Sequence, residues 1–136
     1  MTQIDWTEAL ELGVDQMDDT HREFVVLVNR LADAPDEGVC AAFEALFAHT
    51  VVHFEQENRW MAAIDFPATH CHHAEHEGVL EAMREVRAYL GEGKLEVGRV
   101  LARELADWFR GHAATMDTML ARFLRARPVP AAPATA

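Results

Sequence analysis

"HCHHAEH", residues 70–76, places four histidines in seven positions just ahead of the apolar repeat Val79, Leu80, Met83 and Val86. The three-and-four spacing of that repeat predicts a helix over about 69–90, closed by Gly91-Glu92-Gly93. The helix decides which histidines face inward. At about 100° per residue, His72 and His76 fall on the stripe of Val79, Leu80 and Met83, one turn apart, whereas His70 lies about 160° round from His72 and His73 about 100°. His72 and His76 are therefore expected inside and His70 in water, with His73 and Cys71 on the flanks.

The same periodicity recurs on both sides of this segment. A first helix, starting near Asp18 or Asp19 as N-cap and closed by Pro35, presents His21, Phe24, Val25, Val28 and Leu31. A second, about 39–64, presents Phe43, Leu46, Phe47, Thr50, His53, Glu57, Trp60 or Met61, and Ile64, and ends at Asp65-Phe66-Pro67. A fourth, about 94–125, turns Val97, Leu101, Leu105, Trp108, His112, Met116, Met119 and Phe123 inward. No segment alternates as a strand does. Four amphipathic helices with short breaks predict an all-α, up-down-up-down four-helix bundle. An irregular arm over the first 16 residues is expected, anchored by Ile4 and Trp6. One domain is expected over 1–126, followed by a short disordered Pro/Ala-rich tail, "RPVPAAPATA", at 127–136.

Composition narrows the function. A chain of 136 residues suits one domain that folds without a covalent staple. Acidic residues outnumber Lys and Arg 23 to 12, for a formal charge of −11, which argues against nucleic acid, whose phosphates are bound by cations. No apolar run reaches the roughly 18 residues that span a membrane. The first residues carry Asp5, Glu8 and Glu11 rather than a basic leader, so a cytoplasmic protein is expected. Cys40 and Cys71 fit no spaced metal motif and are too few for a disulfide framework; each is expected to be buried or half-buried.

Histidine is the unusual residue, with eight copies. A lone histidine on an apolar stripe is ordinary core. Five from four helices, His21, His53, His72, His76 and His112, together with Glu57, would be a set of desolvated polar groups costing several kcal/mol for an unpaired carboxylate alone. A metal pairs the charge and uses the imidazole lone pairs. Five imidazoles are too many for one ion that keeps an open position, which points to two ions bridged by carboxylate. Imidazole and carboxylate without thiolate suit iron, and also manganese or zinc. His49, about 40° from His53 and one turn before it, is left by periodicity as ligand or structural residue, and a structural role at the end of the core is expected. Asp117 follows His112 by five residues, about 140° on an ideal helix, so both reach one site if the helix overwinds or bulges locally, or if the two side chains approach it from either side. Spacing alone does not select Asp117.

The motifs "DTH" at 19–21, "HFEQE" at 53–57 with Met61 following, "FPATHCHHAEH" at 66–76 and "WFRGHAATMD" at 108–117, with Trp6 ahead of them, make the chain resemble the bacterial hemerythrins from residue 1 to about 125. The resemblance implies a non-haem di-iron centre cycling between Fe2+ and Fe3+. His72, His76 and His112 would lie on one iron, His21 and His53 on the other, with Glu57, Asp117 and an oxo or hydroxo oxygen as bridges. It implies reversible O2 binding at the iron with fewer histidines, beside a pocket of Phe54, Trp108, Phe109 and Ala113. The protein would then carry, store or deliver O2 without turning over a substrate, as a monomer, with an oxygen-consuming enzyme as recipient. The alternatives are a sensor of O2, redox state or nitric oxide, and a di-iron enzyme or iron-handling protein.

This chain departs from the family at three positions. Phe109 stands where leucine is usual, Ala113 where an aliphatic such as isoleucine is usual, and Asn58 where a second glutamate is common. Moving volume from one pocket wall to the other is expected to alter oxygen release or autoxidation. Asn58, which is not a ligand, is expected to matter little.

Overall fold

Four helical rods carry the chain up and down, and their bounds follow local chemistry. The computed structural model describes residues 3–127; the expected tail, beyond Arg127, lies outside them. Helix α1 is Asp15–Ala32, α2 Val39–Ala63, α3 Thr69–Gly91 and α4 Glu96–His112; a π-helical turn, Ala113–Asp117, joins α4 to α5, Thr118–Ala126. Single 3-10 turns occur at Glu8–Leu10 and Asp36–Gly38. No strand occurs among the described residues, and no helix there is long and apolar enough to cross a membrane.

The start of α1 differs from expectation. The helix begins at Asp15, and Asp18, instead of capping it, turns back to accept the backbone N–H groups of Leu12 and Gly13 at 2.8 and 3.2 Å. Gly13, at φ +83°, adopts the left-handed conformation this reversal needs. Further out, the Asn29 side chain accepts from the N–H of Gln3 and Ile4 and donates to the Ile4 carbonyl, seating Ile4 in the core while Trp6 is half-buried. Asp65 at φ 52°, in the αL region that aspartate tolerates, turns the chain between α2 and α3.

The fourth rod carries the second difference. An unbroken helix would bury Met116, Met119 and Phe123; Met119 is instead 46% exposed and Met116 and Phe123 are half-buried, while Asp117, Leu120 and Leu124 are buried. Every inward position past residue 113 has moved on by one. The extra residue of the π turn has this effect, because one residue more per turn rotates all that follows. Thr118 Oγ1, donating to the Ala113 carbonyl five residues back at 2.7 Å, occupies part of the widened turn.

Two apolar clusters fill the bundle. The larger includes Phe24, Val28, Leu31, Phe43, Leu46, Met83, Leu101, Leu105 and Phe109; the smaller includes Met17, Trp60, Met61, Ile64, Phe66, Leu120 and Leu124. Along every rod a polar layer separates them: His21, His53 with Glu57, His72 with His76, and His112 with Asp117. Both cysteines are exposed, not buried as expected, because Cys40 and Cys71 lie on the outer faces of α2 and α3.

Candidate metal centre

All seven polar residues of this layer are at most 4% exposed, and the five imidazoles come from four different rods. Their ring nitrogens meet two carboxylates. Glu57 Oε2 lies 3.2 Å from His21 Nε2 and 2.9 Å from His53 Nε2, and Glu57 Oε1 lies 3.3 Å from His72 Nε2 and 3.1 Å from His76 Nε2. Asp117 Oδ1 lies 3.1 Å from Nε2 of both His72 and His112, while Oδ2 faces His21 Nε2 at 3.3 Å. Each carboxylate therefore gives one oxygen to each imidazole set. The π turn brings Asp117 to this face beside His112.

The donors divide into two groups able to hold an ion: Glu57, His72, His76, His112 and Asp117, and His21, His53 and Glu57. Contacts within the first group are short but lack hydrogen-bond alignment. The Nε2 atoms of His72, His76 and His112, Glu57 Oε1 and both Asp117 oxygens are buried without a hydrogen-bond partner. Such groups are costly unless something else satisfies them, and a divalent ion on their lone pairs does so. The donor set, neutral nitrogen with anionic oxygen, fits iron.

Charge and burial compete in the metal-free chain. Burial would push the Glu57 carboxyl up, but His53, His21 and His72 outweigh it and hold it well below its ordinary value. For Asp117, burial and the Glu57 charge push upward, and His112 with His72 overcome them to leave it lowered. Burial opposes protonation of His72, yet Asp117 and Glu57 raise it to about 9; the same contest leaves His21 raised. At His76 burial prevails and the imidazole is lowered.

A layer of hydrogen bonds behind the nitrogens fixes two rings. His76 Nδ1 meets Asn58 Oδ1 at 3.0 Å, and Glu75 Oε1 accepts from Trp108 Nε1 at 3.1 Å while lying 3.3 Å from His112 Nδ1. Asn58 therefore has a positioning role the sequence did not suggest, because the angle of one ring is set across two helices. Glu75 was missed as well, although its place on the flank of the His72–His76 stripe was a usable signal. Replacing Asn58 by leucine is expected to weaken metal binding about 10- to 100-fold with the fold intact, the usual cost of removing such a support, measured by competition with a chelator.

The aromatic residues expected around one pocket divide between the two groups. Phe54 stacks on His76 at 4.0 Å and Trp108 on His112 at 4.3 Å, although Phe54 also reaches His53 at 5.1 Å. Phe109 meets His21 edge-on at 5.0 Å, and Phe24, absent from the expected pocket, contacts Phe109 and His53 at 5.1 and 5.8 Å. Ala113 is buried one residue beyond His112. His49 lies outside the donor groups, 17% exposed in its side chain, with Nε2 on Glu23 Oε1 at 3.0 Å.

Residues 12–124 match the family described as "Hemerythrin HHE cation binding domain". The chain is similar to the bacteriohemerythrin of Ralstonia nicotianae, at 45% identity over 93% of both chains. It is also similar to that of Aquifex aeolicus, at 30% identity over 79% of this chain and 87% of the relative. Among solved structures, a point mutant of hemerythrin superposes with TM-score 0.84 at 25% identity over 91% of this chain and 98% of that one. Wild-type hemerythrin gives TM-score 0.82 at 25% identity over 89% and 97%.

Proposed function

The chain belongs to the hemerythrin family, and on that premise we propose that it binds O2 reversibly at two iron ions, as a carrier, store or delivery protein. The ligands are His72, His76 and His112 for one ion and His21 and His53 for the other, with Glu57 and Asp117 shared. The observation that carries this is the pair of carboxylates that each present one oxygen to both imidazole sets. Three imidazoles would serve one ion and two the other, one protein donor fewer, which would leave room for O2 beside His21 and His53. When bound, a ferrous pair with one open position supplies two electrons to O2 and recovers them on release.

The protein's own contribution is placement and exclusion of water. Asn58 and Glu75 hold the His76 and His112 rings, so their Nε2 lone pairs are aimed before metal arrives. On the core side, Phe109 and Phe24, each 1% exposed or less, cover His21 and His53 with hydrocarbon. A dry wall there limits the protons and water that would make oxygen leave as a reduced product. We infer further that residues 1–126 act as one unit, monomeric and cytoplasmic, handing O2 to an oxygen-consuming enzyme.

The test is an optical spectrum of the anaerobically reduced protein before and after air, with metal determined on the same sample. Visible charge-transfer absorption that appears with air and disappears on degassing, with two irons per chain, is expected. Irreversible oxidation, or turnover of peroxide, overturns the proposal. Within it, Phe109→Leu opens space against His21 and is expected to speed autoxidation severalfold, while Ala113→Ile fills the opposite wall and changes it in its own right. Autoxidation rates equal to wild type in both variants would remove these side chains from the pocket.

A further inference from the structure

Between α1 and α2 a cleft of about 130 Å3 opens to solvent, lined by Gln16, Glu23, His49, Val52, His53 and Gln56 among others. Its inner wall is His53, only 4% exposed, whose Nε2 meets Glu57 while Nδ1 has no partner in the protein. Nδ1 of His49 and Nε2 of Gln56 are likewise buried and unpartnered. On the opposite side of the centre Nδ1 of His76 meets Asn58, Nδ1 of His112 lies against Glu75, and the rings of Phe54 and Trp108 stack over these two imidazoles. Three unpartnered nitrogens, on His49, His53 and Gln56, thus lie on one cleft that solvent reaches.

From outside inward, the donors run Glu23, His49, His53, Glu57. The Glu23 side chain is 65% exposed, that of His49 17% and that of His53 3%. Glu23 Oε1 and His49 Nε2 are 3.0 Å apart, and the His49 and His53 rings are 6.0 Å apart, one helical turn along α2. Metal–oxygen and metal–nitrogen bonds of about 2.1 Å meeting at a right angle hold their donor atoms about 3 Å apart, so Glu23 and His49 can take two adjacent positions on one cation.

We propose that this cleft is the uptake port for divalent iron, with Glu23 and His49 as transient first ligands that strip its water and pass it to His53. The port rests on the centre being an iron site. It gives His49 and Glu23, which neither hold the bound ions nor fill the core, a chemical task. Val52, 60% exposed at the rim, leaves the mouth open.

The experiment follows anaerobic uptake of ferrous ion by the metal-free full chain in a stopped-flow instrument, with metal per chain measured at equilibrium. Glu23→Gln and His49→Leu remove the donors, and Val52→Trp plugs the mouth. Glu44→Gln, which deletes one exposed carboxylate elsewhere on α2, controls for charge. Uptake about tenfold slower in the three cleft variants, with wild-type metal content at equilibrium and a wild-type rate in the control, is expected. Glu23 and Val52 are exposed, so their variants keep the test alive if His49→Leu misfolds. Wild-type rates in Glu23→Gln and Val52→Trp overturn the port while leaving the centre standing. A wild-type chain that takes up no iron sinks the centre itself, and the port with it.

Discussion

Glu57→Gln is expected to leave a folded, helical protein that retains neither ion. Four of the five imidazoles meet this one carboxylate, His21 and His53 at Oε2 and His72 and His76 at Oε1, all within 3.3 Å. Glutamine keeps the shape and replaces one oxygen by an amide nitrogen, which donates hydrogen bonds and offers no lone pair to a cation. Of the two proposed ions, one would therefore lose a ligand while the other would face an uncharged oxygen. Supports behind a ligand are worth about 10- to 100-fold in metal affinity, so loss of a shared ligand should exceed the upper end of that range. Metal per chain after reconstitution and dialysis, with circular dichroism on the same sample, measures it. Asp117→Asn should act in the same direction through His72, His112 and His21. A Glu57→Gln protein that keeps its full metal content would show that the carboxylate does not bridge.

Much of this arrangement was legible in the sequence because periodicity reports direction. The stripe of Val79 and Met83 fixed the inward face of α3, and His72 and His76, lying on it, are buried at 1% or less. His53 and Glu57 on α2, and His21 on α1, follow from the same arithmetic. The rule failed where the helix ceased to be regular. A π turn depends on which backbone carbonyls pair over five residues, and the identities in Ala113-Ala114-Thr115-Met116 do not announce it. Asp117 was accordingly reached by resemblance, and Met119 was assigned inward while Leu120 holds that place.

Contacts across helices were the other blind spot. Asn58 on α2 belongs to no stripe and Glu75 on α3 only flanks one, and their value comes from which rings stand opposite once the bundle has closed. The start of α1 failed for a related reason. Asp18 has a capping side chain, but the arm supplies N–H groups that compete for it, and those partners exist only in the folded chain.

Removing the metal is expected to lower the melting temperature, and to lower it more as the pH rises. In the metal-free chain, His72 is raised to about 9 and His21 is raised too, so the folded form holds protons that the unfolded form releases near 6.5. That stabilisation is complete below about pH 6.5 and is lost as the pH climbs through 9. His76, lowered by burial, works in the opposite direction, but it is one group against two. Glu57 and Asp117, both lowered, contribute above the ordinary carboxylate range and lose that contribution in acid. The metal-free protein should therefore be most stable at mildly acidic pH. The loaded protein behaves otherwise, because a cation competes with the His72 proton and gains affinity as that proton leaves. At metal a thousandfold above its dissociation constant, binding adds about 4 kcal/mol, roughly 15 °C for a domain of this size. The repulsion of a net charge of −11 grows with pH in both forms, and the difference between them removes most of it. Melting with and without chelator from pH 5.5 to 9.5 should show the gap widening by about 5 °C or more. A constant gap, or metal-free stability that rises through pH 9, would mean that the His72 proton is not held by Asp117 and Glu57 and that the two carboxylates do not face the imidazoles as described.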